Sequence, residues 1–169
     1  MTVPNLLDPS TLTDPLNRVL YDVYNRVQSI AVLTNRVLRV FDPNDAMDKL
    51  KGLQSYPGVG IIYEGTRSVD EHQPSAKIGV MGDMVISIVV LNTPNTMINA
   101  DTKTPTINLL NLIRQSLLGQ KGPSGHFYRF IVEAAAVESK GAVIWVQRWS
   151  IPVALVQGPI NPLQPGSRF

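Results

Sequence analysis

The sequence contains no cysteine among its 169 residues. This absence excludes disulfide bonds, thiolate metal sites, iron–sulfur clusters and a cysteine nucleophile. Histidine is nearly absent too: His72 and His126 are the two copies, so a metal site built from several histidines of one chain is excluded. The chain therefore lacks the residues on which many common metal centres and some enzymes depend.

Charge is also scarce. Charged residues make up 17% of the chain and hydrophobic residues 44%, whereas a soluble domain usually carries about 25% charged residues. A surface with so little charge favours coverage by a partner and hence an oligomer. The first residues lack the layout of a signal peptide, and no apolar run approaches the length of a membrane span. We therefore predict a protein that is neither secreted nor embedded in a membrane.

The charges are unevenly divided along the chain. Residues 1–84 carry ten acidic and eight basic residues, whereas residues 85–169 carry three acidic and seven basic residues. The second half is mildly basic, but its Lys and Arg residues are dispersed. Because a dedicated DNA-binding protein usually shows a basic cluster, this function is not favoured.

Proline marks the predicted helices. Asp14-Pro15 is a typical start, because the carboxylate can cap a free N–H and proline at the first helical position loses no hydrogen bond. Apolar residues at helical spacing extend this helix over about 14–29. Segment 30–41 is left open between a strand and a continuation of the helix.

Two further helices are predicted by the same reasoning. Asp42-Pro43 opens a short one that ends near Gly52, and the acidic residues at its start suit the helix dipole. Thr104-Pro105 opens another, with Thr104 as the candidate cap and Gly119 as the terminator.

Strands are predicted at 59–64, 78–91, 127–137 and 142–156. The strand at 78–91 is rich in β-branched residues on both parities, so both of its faces should be covered. Pro152 suggests an edge or a break in the last strand. The polar segments 65–77 and 92–104 are predicted to be long loops.

This order of elements predicts an α+β domain with a mixed, mainly antiparallel β-sheet flanked by two or three α-helices. The domain should span residues 1–156. The proline-rich segment 157–169 should form an extended C-terminal arm.

Candidate catalytic or metal-binding residues are few, and each has a simpler explanation. Asp70-Glu71-His72 is the one compact cluster of possible ligands and suits a solvated loop tip. Ser124-Gly125-His126 places a hydroxyl beside an imidazole, but its glycines predict a turn. We predict no catalytic residue, no metal site and no cofactor, and hence a protein that is not an enzyme.

The predicted final hairpin contains two aromatic and several charged residues. Trp145 and Trp149 share one parity, which favours core packing; stacking on single-stranded nucleic acid is the alternative. Arg129 and Arg148 are predicted to lie on facing strands, where Glu133 could pair with either. Strict alternation along 127–137 would put Arg129 and Glu133 on the same face.

The order of motifs resembles a known family. A short helix leads into the segment 53–59 (LQSYPGV), and a valine-rich strand, 80–91, precedes a helix ending Leu117-Leu118-Gly119. The strand 127–137 and its return through 145–153 (WVQRWSIPV) complete the pattern. Over residues 12–155 this resembles the tail terminator and small tail-completion proteins of long-tailed bacteriophages.

The resemblance implies a structural virion protein of the tail or neck, assembled in the host cytoplasm. It implies a homo-oligomeric ring, expected to be a hexamer, that caps the tail tube, ends its polymerisation and joins the tail to a neck or connector protein. A contractile tail would add the tail sheath as a partner, and DNA would pass through the channel as cargo. The alternatives are another neck connector or a baseplate adaptor, and a single-stranded nucleic-acid-binding protein.

Within such a ring the sequence suggests regions of contact. Basic residues of the two polar loops, Arg67, Lys77 and Lys103, are candidates to line the channel or an interface. The arm should contribute contacts through Pro159, Pro162 and Pro165.

Overall fold

The fold is known from a computed structural model, which describes residues 14–39, 57–68, 80–92, 105–136 and 143–155. In chain order the elements are α1 (Pro15–Gln28), a 3₁₀ turn (Ala31–Leu33), β1 (Val37–Arg39), β2 (Gly58–Ser68), β3 (Val80–Asn92), α2 (Thr106–Leu117), β4 (Arg129–Ala135) and β5 (Val143–Leu155).

Helix α1 begins as the sequence predicts. The Asp14 side chain accepts hydrogen bonds from the backbone N–H groups of Leu16 and Asn17, both at 3.3 Å, and Pro15 occupies the first helical position. The carboxylate thus satisfies two of the donors that every helix start leaves free. The buried side of α1 consists of Val19, Leu20, Val23, Tyr24 and Val27.

In the described part of segment 30–41, residues 30–39, α1 does not continue, because Ile30 is extended with a ψ of 120°, and the strand alternative holds for Val37–Arg39. The chain leaves α1 at Ser29, makes the short 3₁₀ turn, and then enters β1. Asn35 lies between them with a φ of 61°, a left-handed conformation that asparagine tolerates better than most residues. This local reversal separates helix from strand.

Helix α2 begins one residue later than predicted. Pro105 is its N-cap, and no side chain caps it, so Thr104 as the cap was wrong. The proline has an extended ψ of 142°, which places it outside the helix. Gly119 follows the helix with a φ of 73°, so its predicted role as terminator is confirmed.

The strands form one sheet in the order β1-β2-β3-β5-β4. Strand β1 is parallel to β2, and every other pair is antiparallel. The prediction of an α+β fold with a mixed, mainly antiparallel sheet is confirmed. Two helices lie in the described part of the chain, and neither is long and apolar enough to cross a bilayer.

Both faces of the sheet are buried at its centre, as predicted from the β-branched residues of the strand at 78–91, which is β3. On one face Met84, Ile86, Ile88 and Val90 of β3 join the residues of α1 and α2 in the main hydrophobic core; we call this the helix face. On the opposite face of β3, Val85, Ser87, Val89 and Leu91 are also buried. Trp149, Ile151 and Val153 of β5 extend the core on the helix face.

Two β-bulges interrupt the ladders. Tyr63 and Gly65 of β2 pair with consecutive residues of β3, so Glu64 is an extra residue. Gly65 has a φ of 126°, a conformation that favours glycine. In β4, Phe130 and Val132 pair with consecutive residues of β5, so Ile131 is extra there. A bulge bends its strand and increases the local twist.

The first bulge explains why the loop predicted from residue 65 was wrong at its start. The strand continues through the glycine as far as Ser68.

Strand β5 is not an edge strand, but β4 pairs only with residues 145–150 of it, so at Pro152 the paired neighbour is β3 alone. The prediction of an edge therefore holds only for the part of β5 around Pro152, which is paired on one side.

Several predictions lie outside the described residues. These are the helix opened by Asp42-Pro43, the loops from residue 69 and from residue 93 onward, and the connection between the last two predicted strands. The C-terminal arm and the Asp70-Glu71-His72 cluster also lie outside them.

Gly82 of β3 has too little space for a side chain. A Cβ atom built there would lie 2.6 Å from Thr66 Cγ2 and 3.2 Å from the carbonyl oxygen of Arg67. We expect Gly82→Ala to lower the free energy of unfolding by about 1–3 kcal/mol, because the crowding has to be relieved by a shift of β2. Denaturant unfolding measures the loss.

The double variant Gly82→Ala/Thr66→Ser provides the control. Serine removes the crowded methyl group and keeps the hydroxyl, which lies 2.8 Å from the Tyr63 hydroxyl. The double variant should be more stable than Gly82→Ala with Thr66 intact. Equal or additive losses would show that Thr66 is not the obstacle.

Candidate functional site

Among the described residues, strand β4 presents the most unusual surface. It forms the end of the sheet and pairs on one side with β5. Phe130, Ile131 and Val132 are consecutive, apolar and exposed. An edge strand with free backbone groups and apolar side chains is a template for association. Its sequence therefore suits contact with another protein better than contact with water.

The exposed apolar surface extends beyond the strand. It comprises five side chains whose exposed fractions lie between 38% and 59%: Leu118, Phe127, Phe130, Ile131 and Val132. Residue 118 forms a bridge with residue 128, and residue 127 forms one with residue 121, which places the first two beside the start of β4. We call these five residues the apolar edge patch. Phe130 pairs with Trp149 and Val132 with Arg148, so these two side chains lie on opposite faces of the sheet edge. Exposed apolar side chains gathered along one edge can mark an interaction site.

The bulge at Ile131 sets the direction of the charged side chains around the patch. Arg129 pairs in register with Ser150, whereas Glu133 pairs with Gln147, on the other parity of β5. The prediction that Arg129 and Glu133 share a face was therefore wrong, because the extra residue reverses the alternation after it. Glu133 points to the helix face.

A buried polar network holds β4 and β5 to helix α2. Gln147 is fully buried, and its Nε2 donates to the Leu110 carbonyl oxygen at 2.8 Å and to Glu133 Oε2 at 2.7 Å. Arg114 Nε lies 3.6 Å from the same carboxylate oxygen, and Trp149 Nε1 donates to Gln147 Oε1 at 3.4 Å. The buried Gln147 amide thus has partners for its nitrogen and for its oxygen, which fixes the position of the elements that it joins, whereas buried Arg114 Nε has no hydrogen-bond partner among the described residues.

The start of β4 is held by a second cluster. The Tyr128 hydroxyl donates to Asp22 Oδ2 at 2.7 Å, and Arg26 Nε donates to the same oxygen at 2.7 Å. Arg26 Nη2 also donates to the Lys121 carbonyl oxygen at 3.0 Å. Helix α1 is thereby joined to the turn that carries the first two residues of the patch. Burial raises the pKa of Tyr128 far above its ordinary value, and the Asp22 carboxylate adds to the rise.

The tryptophans serve the core. Trp149 is buried and meets the Phe130 ring edge-on, with 5.1 Å between ring centroids. Trp145 is partly buried against the same core. The preference for core packing is confirmed, and Trp149 has no exposed face on which a base could stack.

The opposite face of the sheet carries two cross-strand ion pairs. Arg148 Nε lies 3.0 Å from Glu64 Oε2, and the bulge at Glu64 also brings that carboxylate to the Ser87 hydroxyl. Arg129 Nη1 lies 3.9 Å from Asp83 Oδ1. Glu133 therefore pairs with neither arginine, and exposed pairs like these contribute about 0–1 kcal/mol each.

Of the residues selected from the sequence, Arg67 alone lies in the described part of the chain. Arg67 is exposed near the end of β2, opposite Asp83 in register, and it lies on a different strand from the patch. Lys77, Lys103 and the three prolines Pro159, Pro162 and Pro165 fall outside the described residues.

The apolar edge patch was missed because strand position was unknown. Its signal was present: both parities of residues 127–132 are dominated by aromatic or branched apolar residues. Such a run is typical of a buried central strand and equally of an edge strand that associates with another chain. Only the strand order distinguishes the two.

The described part of the chain offers little to a small ligand or a metal. It contains no group of three or more potential metal-ligating side chains. His126 is exposed in the predicted turn, where its carbonyl oxygen accepts from the Gly122 N–H at 2.9 Å. An open cavity of about 290 Å³ at the end of α1 is lined by Asn25, Gln28, Ser29 and Thr34, none of which is an acid or a base.

Comparison with known proteins adds no relative. The sequence matches no family model and no curated protein.

Removal of the Tyr128 hydroxyl tests the support of the patch. We expect Tyr128→Phe to lower the free energy of unfolding by about 1.5–3 kcal/mol, because its bond goes to a charged carboxylate. Tyr63→Phe is the control, since its hydroxyl meets the neutral Thr66 hydroxyl, and should cost about 1 kcal/mol. Equal losses on denaturant unfolding would show that the hydrogen bond to the charged Asp22 contributes no more free energy than a bond to a neutral hydroxyl.

The same residue predicts a pH dependence. An unfolded tyrosine loses its proton near pH 10, whereas the raised pKa keeps folded Tyr128 protonated. Its contribution is therefore complete below about pH 10 and is lost as the pH rises above it. Unfolding measured between pH 8 and 11 should show a decline that is shallower in Tyr128→Phe. Parallel curves for the two proteins would contradict the assignment.

Proposed function

We propose that this protein is a tail terminator: a structural subunit that forms a ring on the end of a bacteriophage tail tube, stops its growth and offers a surface to the neck. The observation that carries the proposal is the apolar edge patch. It gives a well-packed α+β domain one surface that is suited to another protein.

The arrangement of the domain supports an assembly role. The described core is formed mainly by the sheet and the two described helices, together with Leu33 and Tyr128, and its largest side chains are fully buried. Exposed large apolar residues are concentrated instead between residues 118 and 132, with three others elsewhere in the described ranges, Val32, Ile107 and Leu112. Such concentration distinguishes a contact surface from the scattered exposure that is normal in monomers.

The electrostatics agree with passage of DNA without capture. Among the described residues from 105 onward, the charged groups are Arg114, Lys121, Arg129, Arg148 and the single acid Glu133. Arg129 and Arg148 pair with carboxylates two strands away in the sheet, and Arg114 pairs with Glu133. A ring with this modest charge would give DNA few of the phosphate contacts that produce tight, salt-dependent binding.

The proposal is tested with the chain and purified tail tubes. Light scattering after size exclusion should show a ring-sized oligomer, alone or on tubes, and negatively stained tubes should carry one added disc at an end. Tube subunits supplied afterwards should no longer extend those ends. Tubes that keep growing in the presence of the protein, with no disc at their ends, would overturn the proposed function.

A further inference from the structure

The parallel pair at one end of the sheet requires a connection that crosses one of the two faces. Strands β1 and β2 run in the same direction, with Val37 opposite Val59, so the chain has to return along the sheet before it enters β2. Connections of this kind between parallel strands are right-handed in about 98% of cases. The handedness therefore determines which face residues 40–56 cross.

One hydrogen bond fixes the side of β2 on which β1 lies. The Val59 N–H donates to the Arg36 carbonyl oxygen at 3.0 Å, and the Val59 side chain belongs to the core on the helix face. When a strand of L-residues runs upward and a side chain faces the viewer, the N–H and C=O groups of that residue point to the right. Seen from the helix face, β1 therefore lies to the right of β2.

Seen from the opposite face, the order is reversed, and β2 lies to the right of β1. A right-handed crossover has its second strand on the right when the connection lies between the viewer and the sheet. The connection between β1 and β2 is therefore expected on the face opposite α1 and α2.

That opposite face carries buried apolar residues that no described helix covers. Both α1 and α2 pack in the core on the helix face. At the end of the sheet where β2 begins, four apolar side chains of the opposite face are exposed by 6% or less: Ile62, Val89, Leu91 and Ile144. This end of the face therefore has the burial of a core without a described element that provides it.

The sequence of the connection matches this place. Ala46, Met47, Leu50 and Leu53 follow one another at helical spacing. A helix from Pro43 to Gly52 would be about 15 Å long, and β2 extends about 13 Å from Gly58 to Ile62. The connection also exceeds the dozen or so residues that a crossover between parallel strands requires.

We infer that residues 40–56 cross the opposite face of the sheet and that their apolar side chains cover its buried end. The inference goes beyond the proposed function and does not depend on it. Its consequence for binding is that this end of the face is occupied by the chain itself. The apolar edge patch and the exposed Glu64 and Arg148, farther along the opposite face, then remain as surfaces for a partner.

A double-mutant cycle tests which face the connection covers. Val89 and Ile88 are adjacent and buried, but Ile88 belongs to the core on the helix face, so they form a matched pair. Side chains in contact do not have additive effects. The shift in the denaturant midpoint of Leu50→Ala/Val89→Ala should therefore be smaller than the sum of the single shifts, by roughly a quarter or more. The shift of Leu50→Ala/Ile88→Ala should equal the sum.

A thiol crosslink provides a second measurement that does not depend on stability. Because the chain has no cysteine, two introduced thiols are the only pair that dibromobimane can bridge, and the bridged product is fluorescent. We expect a bridge in Leu50→Cys/Val89→Cys. Ile88→Cys in place of Val89→Cys should remove it, and so should Asp48→Cys in place of Leu50→Cys, because Asp48 lies on the polar side of the predicted helix.

The outcomes are decided on the isolated protein. Coupling of Leu50 to Val89, or a bridge between cysteines at these two positions, supports the inference. Coupling or a bridge to position 88 overturns it, and so does the absence of both coupling and bridge at position 89 in folded variants. None of these results bears on the proposed function, which holds or fails on the capping of tail tubes.

Discussion

The antiparallel pairing of β3 with β5 is the constraint on which the rest of the structure depends. It runs in register through both strands, from Val80 opposite Leu155 to Asn92 opposite Val143. Because side chains alternate along a strand, this one register decides which residues join the helix face and which lie on the opposite face. The core beneath α1 and α2, the buried Gln147 network and the position of β4 all follow from it.

Local patterns were sufficient wherever a residue's role depends on its near neighbours. The Asp14 cap, the apolar side of α1 and the parity of β3 could be predicted, since each depends on contacts within a few residues or on a regular period. The partner of Glu133 could not be predicted. It depends on the extra residue of the bulge in β4, and that residue is recognised only from the pairing of β4 with β5. The bulge at Glu64 left a signal, a glycine after an apolar run, but the same signal also predicts the end of a strand.

Much of the candidate site was beyond sequence reasoning for a related reason. An apolar run is ambiguous until the position of its strand in the sheet is known, because the same residues stabilise a central strand and make an edge strand adhesive. Phe130 shows both properties: one side of its ring meets buried Trp149, and over a third of its surface is exposed. What the sequence could indicate was the general feature, a surface with little charge that favours a partner.

The edge of β4 combines two features that natural sheets usually keep apart. Exposed apolar side chains promote association, while a bulge opposes strand pairing. Together they permit contact through side chains and discourage an extended sheet between identical strands. In the proposed ring subunit this combination would have a physical advantage. Pairing of two identical edges closes after two copies, whereas a head-to-tail contact of fixed rotation closes into a ring after a set number of copies.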